Sequence, residues 1–250
     1  MVASPRGHHY LPLCATVGLC VESANIVGYQ SKAVGKDLSQ QVCTFDQIGV
    51  AGGALDIQKL IPVDGEGDYV GDGAVNVQFL SPLGVKLSSY AYYGKDEYDD
   101  DMPAGWYDEM EDELAVYSFD SAEGFMVLSS EACNFQYSGE VNQAETDVPF
   151  RKDLSPQGNI RPTTVDIQDI IPVDGEGDYI GDGAINVQFL SPLGVKLQSY
   201  AYYGKDEYDD DMPAGWYDEM EDELAVYTFG PGEGFMLLAG QAGYLRFPEL

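Results

Sequence analysis

The chain has 250 residues, which is enough for two ordinary domains, and 43 acidic against 12 basic residues give it a formal net charge of -31. A field of that sign repels the phosphates of nucleic acids and of anionic membranes, which argues against partners of either kind. The hydrophobic content of 44% still allows packed cores, and 18 Tyr with 29 Gly favour strands and tight turns.

The start of the chain differs in character from the rest. Residues 11–21 form an apolar run, preceded by basic and histidine residues and followed by small or polar ones. This order predicts a cleaved export signal over residues 1–24, because the run is too short to span a membrane as a mature helix. The alternative is an N-terminal extension without a role in export. A cleaved signal predicts a secreted or cell-surface protein whose mature chain does not insert into a membrane.

One long segment of the sequence is present twice. Residues 61–119 occur again as residues 171–229, 110 positions later. Only four positions differ, and each change keeps size or polarity: Val70/Ile180, Val75/Ile185, Ser88/Gln198 and Ser118/Thr228. A weaker match continues on both sides, from Leu55/Val165 to Tyr137/Phe247. The chain is therefore read as two copies of one unit.

The duplication predicts where the domains lie. Each unit has about 110 residues, an ordinary domain size, and the units are expected over residues 25–137 and 138–250. Residues 138–141 are expected to take the place of residues 27–30 and to open the second unit.

Alternation of apolar and polar side chains predicts strands in each unit. A first strand is expected over residues 25–34, and residues 64–73 form an acidic loop rich in turn residues. Residues 74–80 and 85–93 then alternate with period two, and residues 81–84 carry Pro and Gly at turn positions. This pattern predicts a β-hairpin.

The remainder of the unit continues with short strands. Residues 95–114 are strongly acidic around a short predicted strand at residues 104–107, and further strands are expected at residues 114–119, 123–128 and 135–137. Short strands separated by frequent turns, without a long helix, are typical of all-β folds. The sequence therefore predicts two tandem antiparallel β-sandwich-like repeats, or two small barrels.

Three short motifs carry a resemblance to a known group of proteins. They are VGY at residues 27–29, GWYD at 105–108 and 215–218, and EGF at 123–125 and 233–235. With the export leader, this order resembles a loose group of uncharacterised secreted bacterial proteins built from tandem β-rich repeats. The resemblance implies an extracellular location and a β-rich fold, and it implies no activity.

The distribution of reactive residues argues against an enzyme. Both histidines, His8 and His9, lie in the predicted leader, so the mature chain would lack the base of Ser–His and Cys–His systems and the usual zinc ligand. Paired carboxylates could serve a glycosidase, but in so acidic a chain their presence carries no information. We expect no catalytic residues.

The acidic loops are candidate calcium sites, because Ca²⁺ takes six to eight oxygen ligands from carboxylates and carbonyls on turn-rich loops. The candidate ligands are Asp64, Glu66, Asp68 and Asp72, with Asp174, Glu176, Asp178 and Asp182 in the second copy, and the acids at 99–101 and 209–211 lie further along. Their spacing is not that of an EF-hand. The alternative is a solvated acidic surface that keeps the protein soluble.

Aromatic residues offer a candidate carbohydrate site. Trp106 and Tyr107, with Trp216 and Tyr217 in the second copy, could form platforms with the tyrosines of the preceding strand. The alternative is that Trp inside a β-unit belongs to the core.

Cys43 and Cys133 both lie in the first unit and could form a disulfide in an oxidising compartment. At an offset of 110 their counterparts are Asp153 and Gly243, so the fold does not require a bridge. The alternative is two separate, partly buried thiols.

Together these observations predict a secreted or cell-surface protein with a structural or adhesive role and calcium as a candidate stabilising ion. The alternative is a tandem carbohydrate-binding module that uses the Trp-centred surfaces. Self-association, or a glycan or protein partner at the surface, would fit either function. An acidic decoy for a basic partner also fits the charge, but no motif supports it.

Overall fold

A computed structural model describes residues 26–45, 55–80, 86–95, 101–110, 113–120, 122–190, 195–205, 211–220 and 223–250, with backbone only for Ile26 and Val27. The predicted export signal lies outside these residues. The first half contains β1 (Ile26–Val34), β2 (Asp37–Val42), β3 (Leu55–Asp56), β4 (Ile61–Val63), β5 (Val75–Leu80), β6 (Lys86–Tyr93), β7 (Gly105–Asp108), β8 (Ser118–Phe119), β9 (Gly124–Ser129) and β10 (Cys133–Val141). The second half contains β11 (Thr146–Phe150), β12 (Asp153–Gly158), β13 (Val165–Asp166), β14 (Ile171–Val173), β15 (Ile185–Leu190), β16 (Lys196–Tyr203), β17 (Gly215–Asp218), β18 (Thr228–Phe229), β19 (Gly234–Ala239) and β20 (Gly243–Phe247). Single 3-10 turns occur at Ile57–Lys59 and Ile167–Asp169.

The strands form the same set of sheets in both halves. The first half has a five-stranded sheet in the order β2-β9-β5-β6-β7, a three-stranded sheet β1-β10-β4 and the pair β3-β8. The second half has the sheets β12-β19-β15-β16-β17 and β11-β20-β14 and the pair β13-β18. The registered neighbours run antiparallel, for example β5 with β6 and β15 with β16. The prediction of an all-β fold built from antiparallel sheets is confirmed.

The sheets of each half share one hydrophobic core. In the first half Val77 and Val127 of the five-stranded sheet belong to the same buried cluster as Phe135 and Tyr137 of the three-stranded sheet. The second half repeats this arrangement with Val187, Leu237, Leu245 and Phe247. Two antiparallel sheets that bury their facing sides against each other give a sandwich-like arrangement.

The predicted hairpin is present in both halves. In β5 the side chains of Val75 and Val77 are buried while Asn76 and Gln78 are half-buried, as period-two alternation requires. β5 pairs with β6 from Asn76↔Ala91 onwards, and the register shifts between Phe79 and Leu80. The turn itself lies outside the described residues.

The start of the second half is offset differently from the rest of the chain. Asp37 of β2 pairs with Ser129, and Asp153 of β12 pairs with Ala239. These opening strands therefore correspond at an offset of 116 positions, whereas the strands that they pair with correspond at 110.

This offset corrects one prediction. Residues 138–141 do not open the second unit, because they form the end of β10 and pair with the start of β1 (Tyr29↔Ser138, Ile26↔Val141). β11 opens the second half instead and pairs with β20. β10 thus extends across the predicted domain boundary between residues 137 and 138.

Candidate functional site

The two halves meet where strands β2 and β9 of the first half contact β12 and β19 of the second, a region called the junction below. A Cβ atom on Gly124 would lie 2.2 Å from the carbonyl oxygen of Pro156, and one on Gly234 would lie 2.4 Å from the carbonyl carbon of Gln40. Both positions therefore need glycine, since the facing backbones leave no room for a side chain.

The junction has approximate two-fold symmetry. Gln40 pairs with Met126, and Pro156 pairs with Met236, so Gln40 and Pro156 occupy equivalent positions. Each half thus places a glycine against the same position of the other half. Apolar packing continues across the junction, because Val42 of the first half belongs to the core cluster of the second.

A cleft of about 570 Å³ opens beside the junction and takes its walls from both halves. The first half contributes an apolar side with Phe79, Leu80, Leu87 and Tyr117, and the second contributes Val148 and Pro149. The polar residues of the cleft are Ser88, Asp120, Glu123, Arg151, Ser155 and Gln157. We call this feature the junction cleft.

Glu123 is the central carboxylate of the junction cleft. The Tyr117 hydroxyl donates a hydrogen bond of 2.6 Å to its Oε1, and the backbone N–H of Asp120 donates one of 3.0 Å to its Oε2. Burial raises the pKa of Glu123, while these hydrogen bonds and the charge of Arg151 oppose the rise. The two oxygens are therefore held in a fixed orientation by their own half.

The equivalent glutamate of the second half is held in the same way. Tyr227 donates a hydrogen bond to Glu233, and the backbone N–H of Gly230 donates one of 2.7 Å. Its cation from the other half is Lys32, whose pKa is lowered by burial and raised in part by Glu233. Each junction glutamate thus lies within electrostatic range of a basic residue of the opposite half, Arg151 for Glu123 and Lys32 for Glu233.

One polar atom at the junction cleft has no partner. The Ser155 hydroxyl is buried, and no hydrogen-bond partner lies within reach of it in the described part of the chain. Arg151, by contrast, is exposed at the cleft. A buried hydroxyl without a partner is uncommon in folded proteins and asks for an explanation.

Arg161 is a fully buried arginine that sequence reasoning did not find. Its guanidinium donates to the carbonyl oxygens of Asn142 (2.6 Å), Ala144 (2.7 Å), Phe247 (3.2 Å) and Pro248 (2.6 Å). Burial lowers the pKa of this group. Arg161 therefore fastens the connection between the halves to the C-terminal segment. No spacing or composition around it distinguishes it from a surface arginine.

The GWYD motif proves to be structural. The Trp106 Nε1–H donates to the Leu60 carbonyl at 2.6 Å, and the Trp106 backbone is held on both sides by the Gln58 amide. The Tyr107 hydroxyl donates to the Pro103 carbonyl at 2.6 Å. A Cβ on Gly105 would lie 2.6 Å from Gln58 Oε1, which explains the glycine. Gly215–Asp218 makes the equivalent contacts.

This burial corrects the predicted aromatic platform. Trp106 and Trp216 have no exposed surface, and Tyr107 and Tyr217 are 1% and 2% exposed. Rings in the core cannot stack on a sugar, so these four residues do not form the ligand-binding surface that was predicted. They belong to the core, as the alternative held.

The acidic loops are organised by their own backbone. Asp64 Oδ1 accepts hydrogen bonds from the backbone N–H groups of Glu66, Gly67 and Asp68 at 2.8 to 2.9 Å, which lowers the Asp64 pKa. Asp174 accepts from Glu176 and Asp178 in the same way. Asp72 and Asp182 follow with positive φ angles of 56° and 57°.

The predicted calcium ligands are not brought together as a cluster. Within the described ranges, no three Asp, Glu, His or Cys side chains converge as ligands for a metal. Residues 99, 100, 209 and 210 lie outside those ranges. Calcium binding stays a prediction.

The structure describes both Cys43 and Cys133. They are buried thiols and do not form a disulfide. The Cys43 Sγ–H donates to the Phe45 carbonyl at 3.4 Å, and burial raises the Cys133 pKa to about 11. The candidate bridge is therefore not formed in this structure. The counterpart of Cys43 is Asn159 rather than Asp153, because the N–H groups of Cys43 and Asn159 make equivalent hydrogen bonds to the glutamates before β9 and β19.

No protein-family model, curated protein or solved structure matches this chain. The resemblance to secreted tandem-repeat proteins consequently stays a prediction. Among the residues that the structure describes, no helix is long and apolar enough to cross a membrane.

Proposed function

We propose that this chain is a secreted or cell-surface protein with a structural or adhesive role and without catalytic activity. The observation that carries the proposal is the junction, where Gly124 and Gly234 bring the backbones of the two halves into direct contact. Apolar packing across it joins the cores of both halves. Such a contact suits a structural or adhesive element, because a load applied at one half reaches the other through the packed junction as well as through the connecting chain.

The charge supports the same role. A formal net charge of -31 keeps an exported chain soluble and separated from other acidic surfaces. The loops headed by Asp64 and Asp174 hold their shape through their own backbone hydrogen bonds. Calcium would add to that order by bridging the remaining carboxylates, and this part of the proposal rests on the sequence.

The proposal is tested in the source organism with an antibody against the chain. Intact cells and culture medium are probed, before and after treatment of the cells with a protease that does not enter them. We expect the protein in the medium, or on intact cells in a form that the protease removes. A gene deletion should weaken attachment of the cells to a surface or to one another. The proposal would be refuted if the protein were found only within the cells, in a form that protease treatment of intact cells does not remove.

A catalytic role would appear in a different measurement. The purified chain should not hydrolyse a panel of chromogenic glycosides, esters and peptides above the rate of a matched heat-denatured sample. Turnover that Glu123→Gln abolishes would contradict the non-enzymatic assignment, because Glu123 is the carboxylate of the junction cleft with a raised pKa.

A further inference from the structure

We propose that the junction cleft binds a neutral saccharide. This inference deepens the adhesive role proposed above and rests on it, since it names the class of molecule to which the protein would attach. It concerns a different surface from the Trp-centred platform, whose rings lie in the core.

The size and the walls of the cleft fit a short sugar chain. Its volume of about 570 Å³ lies inside the range of about 300–1,000 Å³ that small-molecule sites occupy. Phe79 and Tyr117 stand together in its wall with ring centroids 4.4 Å apart, and both rings are half-buried. A ring that is only partly covered can stack on the apolar face of a sugar, which a fully buried one cannot.

The polar groups favour hydroxyl groups over ions. Asp120 and Glu123 accept hydrogen bonds, whereas the guanidinium of the exposed Arg151 only donates them. A sugar hydroxyl is donor and acceptor at once, so adjacent hydroxyls can satisfy both kinds of group. An anionic ligand would face the two carboxylates, and a cationic one would face Arg151. A neutral polyhydroxylated molecule meets neither repulsion.

Ser155 lines the cleft and carries a hydrogen-bonding group that the protein leaves unsatisfied. Its hydroxyl is buried without a hydrogen-bond partner in the described part of the chain. The equivalent residue of the first half is Ser39, which accepts a hydrogen bond from Gln41 Nε2 at 3.5 Å. The two halves therefore differ at this position, and the unpartnered hydroxyl occurs on the side of the junction cleft.

The opposite side of the junction does not offer a second copy of the site. At the offset of the opening strands, Arg151 corresponds to Gly35, so the guanidinium has no counterpart. We expect one saccharide site in each chain.

The test uses the full mature chain, labelled with a fluorophore, on an array of neutral and acidic oligosaccharides. The best neutral ligand is then titrated by calorimetry, with maltotetraose and cellotetraose as fixed probes. We expect binding to neutral sugars, with one site per chain. The inference is overturned if no neutral oligosaccharide binds, or if acidic ones bind more tightly.

Matched variants locate the binding on the cleft. Arg151→Ala should weaken affinity at least tenfold, because a hydrogen bond from a charged group is lost. Lys152→Ala removes the same charge from a neighbour that does not line the cleft and should change affinity less than twofold. If the two substitutions weakened binding equally, only the net charge of the protein would matter and not a contact in the cleft. That result would overturn the proposal.

The duplicated sequence provides a second pair. Leu87 lines the cleft and is 62% exposed, and its counterpart Leu197 is 64% exposed but lies away from it. Leu87→Ser should weaken saccharide binding, and Leu197→Ser should not. Because both side chains are exposed, neither change should prevent folding, which thermal melting verifies.

The outcomes separate this inference from the proposed function. A protein that is found on the cell surface but binds no sugar retains its proposed function and loses the saccharide site. A protein that binds sugar but occurs only inside cells retains the site and loses the adhesive role.

Discussion

The junction glycine Gly124 provides the sharpest test of how the two halves are joined. In Gly124→Ala the new Cβ would lie 2.2 Å from the Pro156 carbonyl oxygen, against 3.4 Å or more in an ordinary contact. The backbone of β12 would have to move by about 1 Å, and overpacking of this kind costs about 1–3 kcal/mol. Alanine in a strand otherwise gains about 0.5–1 kcal/mol over glycine, which is the smaller effect.

The net cost is up to about 2.5 kcal/mol. We therefore expect Gly124→Ala to lower the midpoint of thermal unfolding by several degrees and by at most about 10 °C, at about 2–4 °C for each kcal/mol in a chain of this size. The measurement is differential scanning calorimetry of the mature chain. Gly234→Ala, which meets the Gln40 backbone, should have a similar effect. The control is Gly35→Ala, where a Cβ meets nothing within 4 Å. The reasoning is refuted if Gly124→Ala has the same melting temperature as the wild type, or if Gly35→Ala lowers the melting temperature as much as Gly124→Ala does.

Three further predictions concern other contacts. Arg161→Met should lower the free energy of unfolding by roughly 3 kcal/mol or more in urea titrations, because four backbone carbonyls lose a charged donor; an unchanged midpoint would contradict this. Asp147 has a lowered pKa because Arg246 donates to both of its oxygens at 2.8 and 2.9 Å. The ion pair therefore stabilises the fold above about pH 4, and this stabilisation is lost as the pH falls through the pKa of Asp147 in the folded protein. Asp147→Asn should therefore reduce the drop in melting temperature between pH 5 and pH 2.5, and a drop equal to that of the wild type would exclude this role. Millimolar Ca²⁺ should raise the melting temperature more than Mg²⁺ does, and the double variant Asp64→Asn, Asp174→Asn should remove the difference; equal shifts from the two ions would end the calcium prediction.

Individual strands and hairpins could be predicted because the alternation that indicates them lies within a few adjacent residues. The hairpin of β5 and β6 follows from alternation over adjacent residues, and it was found within one residue of each predicted bound. The strand predicted at residues 114–119 shortened to Ser118–Phe119. Ala115 instead donates its N–H to the Trp106 carbonyl, so this stretch runs beside β7 through isolated contacts.

The junction could not be predicted because it depends on which sheet edges meet. The sequence shows that EGF precedes an apolar strand, but only the fold shows that its glycine faces the backbone of the other half. The offset of 116 does leave a trace in the sequence, because residues 36–39 (KDLS) occur again as residues 152–155. The long copy at an offset of 110 obscures it, and β1 and β11 share no residue at the offset of 116. Burial of Trp106 was likewise undetermined, because a short strand of aromatic residues can cover a core or line a surface.

The approximate two-fold axis has a consequence for inheritance. In a dimer of identical chains every substitution appears on both sides of the axis, whereas here each side is encoded separately. The segment 61–119 and its copy differ at four positions only. By contrast, all five residues of β11 differ from those that they match in β1. A mutation in such a gene changes the junction on one side only and leaves the other side unchanged. In a dimer of identical subunits the same mutation would change both sides.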